Sequence, residues 1–212
     1  MNPPIVKMKV NKQFVNLKCN LPYGLQVAEI VATIDDVYQF LYDLDSFLVG
    51  RHYPCLADLI LANTFSGVLS EIIVRRLVQN SPSLVRNEQV GGYPDLLPVV
   101  CGYVVGAKEQ KASEGIEVKT SRQSGGWQGH NPEGGWLMVF RYVLHGPNSF
   151  YGTKTVEFVE VLAAKLDPSD WSFSGRHRKS RRTITASITK SGMRKLRNNP
   201  VLRNPAYRVK PK

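Results

Sequence analysis

The chain has 212 residues, of which 42% are hydrophobic and 9% aromatic, a composition that fits a folded globular protein and excludes a disordered one. Residues 171–212 contain 13 Lys and Arg and no acidic residue, whereas residues 1–170 contain 15 basic and 17 acidic residues, so the net charge of +11 is C-terminal in origin. No run approaches the roughly 18 apolar residues that cross a bilayer, and residues 1–14 do not resemble a secretory signal; we therefore expect a cytoplasmic protein without membrane contact.

Two amphipathic helices are predicted in the first half of the chain. Residues 25–49 place apolar side chains such as Val27, Ile34 and Leu41 at helical spacing, with aspartates largely between them. A second helical pattern covers residues 56–79 and ends at Ser81-Pro82, with Gly67 as a candidate break. We interpret residues 1–55 as an N-terminal helical region and residues 56–212 as the core, together forming one compact domain.

Short apolar runs bounded by glycine predict strands after the second helix. They cover residues 99–107, 115–119, 136–144, 155–163 and 183–189. Between residues 122 and 135 lies a polar, glycine-rich loop that we expect to stay outside the core. The order of helices and strands predicts an α/β fold with a central mixed β-sheet flanked by α-helices.

The predicted strand 115–119 carries an acid and a base on one face. Because strand side chains alternate, Ile116 and Val118 point one way while Glu117 and Lys119 point the other. Two interpretations are open at this point: a structural ion pair, or half of an active site in which a metal ligand lies beside a catalytic lysine.

A second carboxylate lies 22 residues upstream, at Asp95, after two glycines and Pro94. A hairpin that runs out through 99–107 and back through 115–119 brings Asp95 and Glu117 to neighbouring strand ends. Hydrolysis of a phosphodiester needs a water activated beside an anion, and Mg²⁺ meets that need with carboxylate and carbonyl ligands. Asp95, Glu117 and the Val118 carbonyl are candidate ligands, and Lys119 is a candidate for orienting the water.

The acid-x-Lys triplet is not specific by itself, because the chain has a second one, Glu109-Gln110-Lys111. The two differ in context. Glu117 lies in an alternating apolar strand, whereas Glu109 lies in a polar turn. This contrast favours the triplet at 117–119.

The order helix, Pro94-Asp95, then Glu117-Val118-Lys119 on a strand resembles the PD-(D/E)XK nucleases, in particular the restriction-endonuclease-like members. The resemblance extends from residue 56 to about residue 190 and implies a restriction-endonuclease-like core. It implies that Asp95 and Glu117 bind Mg²⁺ and that Lys119 assists the water. Many members carry a further acidic residue on the preceding helix, which implies a metal-binding role for Glu71.

Two segments are candidates for contacting DNA. The loop after Lys119 offers polar side chains for base edges and phosphates, namely Arg122, Gln123, Gln128, His130 and Asn131. The basic run at 175–182 offers cations for the phosphate backbone, namely Arg176, Arg178, Lys179, Arg181 and Arg182. A solvated basic tail without a partner is the alternative for the second segment, and Trp127 is either a base-stacking residue or a lid on the core.

These features together predict a magnesium-dependent DNA endonuclease, specifically a type II restriction enzyme that cleaves double-stranded DNA as a homodimer. Cutting both strands symmetrically asks for two active sites, which two-fold pairing supplies. A repair or recombination nuclease that reads DNA structure is one alternative. A non-catalytic DNA-binding protein, with a merely structural Glu117 and Lys119, is the other.

Overall fold

A computed structural model describes residues 5–129, 134–146, 153–173 and 186–207. Its helices are α1 (Val27–Gly50), α2 (Leu56–Leu59), α3 (Ala62–Asn80) and α4 (Lys190–Asn198). The strands are β1 (Leu84–Arg86), β2 (Leu96–Pro98), β3 (Ile116–Ser121), β4 (Gln128–Gly129), β5 (Gly135–His145), β6 (Thr155–Leu166), β7 (Trp171–Phe173), β8 (Ala186–Ile188) and β9 (Pro200–Arg203). Within these ranges no helix is long and apolar enough to cross a membrane.

The central sheet is mixed and six-stranded, in the order β1-β2-β3-β5-β6-β9. The pair β3 and β5 is parallel, and every other neighbouring pair is antiparallel. The long strands β5 and β6 form the centre, where both faces of the sheet are buried. The predicted α/β class with a mixed sheet flanked by helices is confirmed.

The first face of the sheet packs against α1 and α3. The apolar stripe of α1 includes Ile30, Ile34 and Val37, all inaccessible to solvent. These side chains share one core with Ile116 and Val118 of β3 and with alternate residues of β5 and β6. The predicted helix at 25–49 is thus confirmed: α1 packs beside α3, and its Tyr38 hydroxyl accepts a hydrogen bond from the Phe158 amide of β6 at 2.8 Å.

A second layer covers the other face. It consists of α4 and a small sheet in the order β4-β8-β7, packed on the apolar residues of β5 and β6 that face away from α1 and α3. The buried Asp170 anchors this layer by bonding Lys195 and Ser191 of α4 at 2.5 and 2.9 Å. Burial alone raises the pKa of Asp170, but hydrogen bonds from Lys195, the Asp167 amide and Ser191 outweigh burial and lower it.

The structure corrects two expectations about elements and adds one element that was not predicted. The predicted strand at 99–107 is wrong: residues 99–101 form a 3₁₀ turn and the rest is irregular, with Val100 and Val105 72% and 87% exposed. The second helix breaks between α2 and α3 and not at Gly67, which lies inside α3. No element was predicted for the basic segment that follows the predicted strand 183–189, and it forms the helix α4. Only 186–188 of the predicted strand 183–189 lie in the described residues, and they form β8.

The segment before α1 lies along the last strand of the chain. Val15 bridges Leu202, and the Asn16 amide donates to the Val201 carbonyl at 2.9 Å. Asn20 and Asn199 exchange hydrogen bonds of 3.1 and 2.7 Å. Residues 15–20 and β9 are therefore held together at one edge of the sheet.

Candidate active site

The charged face of β3 points toward the second layer. Ile116 and Val118 are buried against the α1 and α3 side, so alternation sends Glu117 and Lys119 to the opposite face. The Lys119 Nζ lies 2.6 Å from the Glu117 Oε1, and both side chains are partly exposed, by 26% and 18%. The two charges therefore form a contact pair that solvent can still reach.

Asp95 reaches this pair because β2 runs beside the start of β3. Leu96 pairs with Ile116, and a Cβ on Gly115 would lie 2.3 Å from the Leu96 carbonyl oxygen, so only glycine allows this approach. The Val118 amide donates to the Asp95 Oδ2 at 2.8 Å. The Asp95 carboxylate thus caps the edge of β3 immediately beyond its pairing with β2.

The two carboxyl groups influence each other. Burial of the Asp95 carboxyl, together with the neighbouring Glu117 carboxylate, raises the pKa of Asp95 to about 7, although the Val118 amide and the Lys119 ammonium act in the opposite direction. Glu117 is also within hydrogen-bonding reach of Asp95. Two carboxyl groups in such contact form a site of concentrated negative potential that a cation or a shared proton can relieve.

A cleft of about 280 Å³ opens at this cluster. Asp95, Glu117 and Lys119 lie on one wall, and Gly129 of β4 and Trp171 of β7 contribute to the lining from the second layer. Gly91, Gly92 and Tyr93 complete the side next to Asp95. The predicted catalytic residues therefore share one solvent-accessible cleft between the central sheet and the second layer.

The donor set fits a magnesium ion. Asp95 and Glu117 offer carboxylate oxygens, and the Val118 carbonyl lies on the same edge of β3 as its amide, which faces Asp95. Among the side chains that the structure describes, no group of three or more His, Cys, Asp or Glu could hold a metal. Two carboxylates with further oxygen ligands nevertheless suit Mg²⁺, which commonly keeps several waters and uses substrate phosphates.

Glu71 is not brought into this cluster. Its carboxylate pairs with Arg86 at 2.8 Å, and its side chain is 60% exposed on α3. The residue of α3 that approaches the site is its neighbour Ser70, whose hydroxyl donates to the Val118 carbonyl at 3.4 Å. Sequence reasoning missed Ser70, whose only local signal is its place one helical turn after Ser66. The main-chain carbonyl of Ser66 also contacts β3, because it accepts from the Thr120 hydroxyl at 2.5 Å.

The candidate DNA-contacting residues are only partly described. Arg122, Gln123 and Gln128 are exposed. His130 and Asn131, and all five basic residues of the run 175–182 (Arg176, Arg178, Lys179, Arg181 and Arg182), lie outside the described residues.

The loop after β3, which carries Arg122 and Gln123, is anchored by Trp127. This residue is 3% exposed and packs with Met193 and Leu196 in the second core, and its indole N–H donates to the Gln123 carbonyl at 3.2 Å. Trp127 is therefore a core residue, and the expectation that the whole loop lies outside the core is wrong.

The second triplet differs from the first in every structural respect. Lys111 is exposed, and Glu109 uses its main-chain atoms to bind the Asn87 side chain at 2.8 and 3.0 Å. In the described part of the chain these two side chains form no salt bridge with each other or with a third residue. Lys111 is therefore a suitable control for Lys119.

No protein-family model, curated protein or solved structure matches this chain.

Proposed function

We propose that the protein is a magnesium-dependent endonuclease that hydrolyses the phosphodiester bonds of double-stranded DNA. The observation that carries the proposal is the cluster in the cleft: Asp95 is held on the β3 edge by the Val118 amide, beside the contact pair of Glu117 and Lys119. Two carboxylates and a lysine on adjacent strand edges match the requirements of phosphodiester hydrolysis.

Each residue has a distinct part in this proposal. Asp95, Glu117 and the Val118 carbonyl would hold the magnesium ion, which when bound would lower the pKa of a water and neutralise charge on the phosphate. The Lys119 ammonium, fixed by Glu117 at 2.6 Å, orients the attacking water and stabilises the negative charge that develops on the phosphoryl oxygens. Ser70 orients the Val118 carbonyl from α3.

The surroundings of the cleft support a polyanionic substrate. The second layer that borders it includes α4, which carries Lys190, Arg194, Lys195 and Arg197 and no acidic residue. Cationic side chains on the layer next to a carboxylate pair would attract the phosphate backbone while the metal ligands remain anionic. The restriction-endonuclease-like core, the type II restriction activity and the homodimer belong to the same proposal, since symmetric cleavage of both strands uses two sites.

The test is cleavage of supercoiled plasmid in magnesium and in chelator. We expect the parent protein to produce nicked and linear DNA only with the metal, Asp95→Asn and Glu117→Gln to produce none while still binding DNA, and Lys119→Ala to be about 10²-fold slower or worse. Lys111→Ala is the matched control and should cleave as the parent does. DNA binding without any nicked product would instead establish the non-catalytic alternative.

Sequencing the product ends separates the two nuclease classes. One recurring sequence at every end supports a restriction enzyme. Ends that share a DNA structure but no sequence would refute that part of the proposal and favour a repair or recombination nuclease.

A further inference from the structure

The helix α4 has two chemically different sides. Gly192, Met193 and Leu196 are buried against the second core. Helical spacing places Lys190 and Arg194 on the opposite side, and both are exposed. The helix contains no acidic residue, so nothing on α4 itself neutralises this cationic side.

The basic residues of α4 divide into paired and unpaired ones. Lys195 forms salt bridges to Asp167 and Asp170 at 2.7 and 2.5 Å, which ties the helix to the turn before β7. In the part of the chain that the structure describes, Lys190 and Arg194 form no salt bridge. Their charge is therefore not used to hold the fold together.

The helix α4 is joined at its start to a strand that pairs with the cleft wall. The helix begins two residues after Ile188, whose strand partner Trp171 lines the cleft. At its other end, the Arg197 guanidinium donates to the Ser124 carbonyl at 2.8 Å, which holds the loop after β3 beside the helix. The strand pair β7 and β8 at the cleft, the helix α4 and the loop that carries Gln123 are thus linked by direct contacts.

We propose that α4 is a DNA-backbone contact helix, in which Lys190 and Arg194 bind phosphates of the duplex whose scissile bond lies in the cleft. The identity of the partner as duplex DNA rests on the proposed function. The two side chains lie one helical turn apart, about 6 Å along the axis, and so meet successive positions of a phosphate backbone. They position the duplex without reading its sequence.

The experiment measures binding of a labelled, mixed-sequence duplex in chelator, as a function of salt concentration. Each phosphate contact removed reduces the magnitude of the negative slope of log K against log salt by about 0.9, so the loss of affinity between about 50 and 200 mM salt shrinks about 3.5-fold per contact. We expect that reduction for Arg194→Gln and about twice the change in slope for the double variant Lys190→Gln/Arg194→Gln.

Arg75→Gln is the matched control, because Arg75 is exposed on α3, in the layer on the other sheet face, and forms no salt bridge among the described residues. It removes the same charge and should leave the slope unchanged. An unchanged slope in Arg194→Gln, an equal change in Arg75→Gln, or binding of anionic vesicles in place of duplex would each overturn the inference.

The two proposals fail separately in this design. Binding is measured without metal, so a parent that binds DNA through α4 but never cleaves plasmid contradicts the nuclease alone. A parent that cleaves plasmid while both α4 variants keep its salt slope contradicts the role of α4 alone.

Discussion

Replacing Trp127 tests whether the second layer is a true core. A tryptophan buries about 150–250 Å² when it is enclosed, and Trp127 is only 3% exposed. At about 25 cal/mol per Å² this area is worth about 4–6 kcal/mol as an upper bound, and comparable truncations cost about 3–5 kcal/mol. The hydrogen bond from its indole N–H to the Gln123 carbonyl adds about 1 kcal/mol.

We therefore expect Trp127→Ala to lower the free energy of unfolding by about 3–5 kcal/mol, and Trp127→Phe by about 1–2 kcal/mol, since phenylalanine keeps most of the apolar area. The measurement is urea denaturation followed by far-ultraviolet circular dichroism. Gln128→Ala is the control: it changes the next residue, which is exposed, and should cost less than about 0.5 kcal/mol.

The same variants decide whether Trp127 contacts nucleic acid directly. Under conditions where it is folded, Trp127→Phe should bind a duplex as the parent does. If Trp127→Ala kept the parent's stability but lost its affinity for DNA, the indole would be a base-stacking group and the core assignment would be refuted.

Three further predictions follow from the ion pairs. Glu71→Gln should leave the magnesium dependence of cleavage unchanged, because Glu71 pairs with Arg86 on the surface; a raised magnesium requirement would make it an outer metal ligand. Folding lowers the pKa of Asp170, so its ionised carboxylate stabilises the fold fully above the unfolded pKa of about 3.9, and this contribution is lost as the pH falls through the lower folded pKa. Urea titrations at decreasing pH should therefore show a smaller acid-induced loss of stability in Asp170→Asn than in the parent. Glu160→Ala should cost about 3–5 kcal/mol by leaving the buried Arg141 uncompensated, and a loss below about 1 kcal/mol would show that water reaches the pair.

The helices and strands that the sequence predicted well are long segments whose apolar residues are buried in the structure. The apolar stripe of 25–49 repeats at helical spacing, and the segments 136–144 and 155–163 are long apolar runs; they became α1, β5 and β6. Alternation at 115–119 correctly placed Glu117 and Lys119 on one face of β3.

The failures have identifiable causes. Residues 99–107 are rich in valine, yet Gly102 and Gly106 adopt positive φ angles of 84° and 85°, which break a strand and leave the valines exposed. The strands β1 and β2 have three residues each, too few to show any period. The helix α4 was hidden by its charge, because only Met193 and Leu196 mark its apolar side.

The proximity of Asp95 to Glu117 was predicted from a hairpin that does not form as expected. The carboxylates meet because β2 pairs directly with β3, and the intervening residues form a turn and irregular loops. The number of residues between two positions can indicate that the two side chains are able to meet, but it does not predict the structure of the intervening segment. The environment of Glu71 depends on its pairing with Arg86, 15 residues away, which no local pattern encodes.

The contact between residues 15–20 and β9 has a consequence for how the chain folds during synthesis. Val15 and Asn16 are made early, but their partners Leu202 and Val201 leave the ribosome about 185 residues later, at a rate of about 5–20 residues per second. The α1, α3 and β3 elements can pack before that, whereas this edge of the sheet must close last. A circular permutant can test this, with a linker between β9 and the segment 15–20 and with new chain ends in the exposed loop at 102–106. We expect this permutant to fold, and its sheet edge between residues 15–20 and β9 to form early.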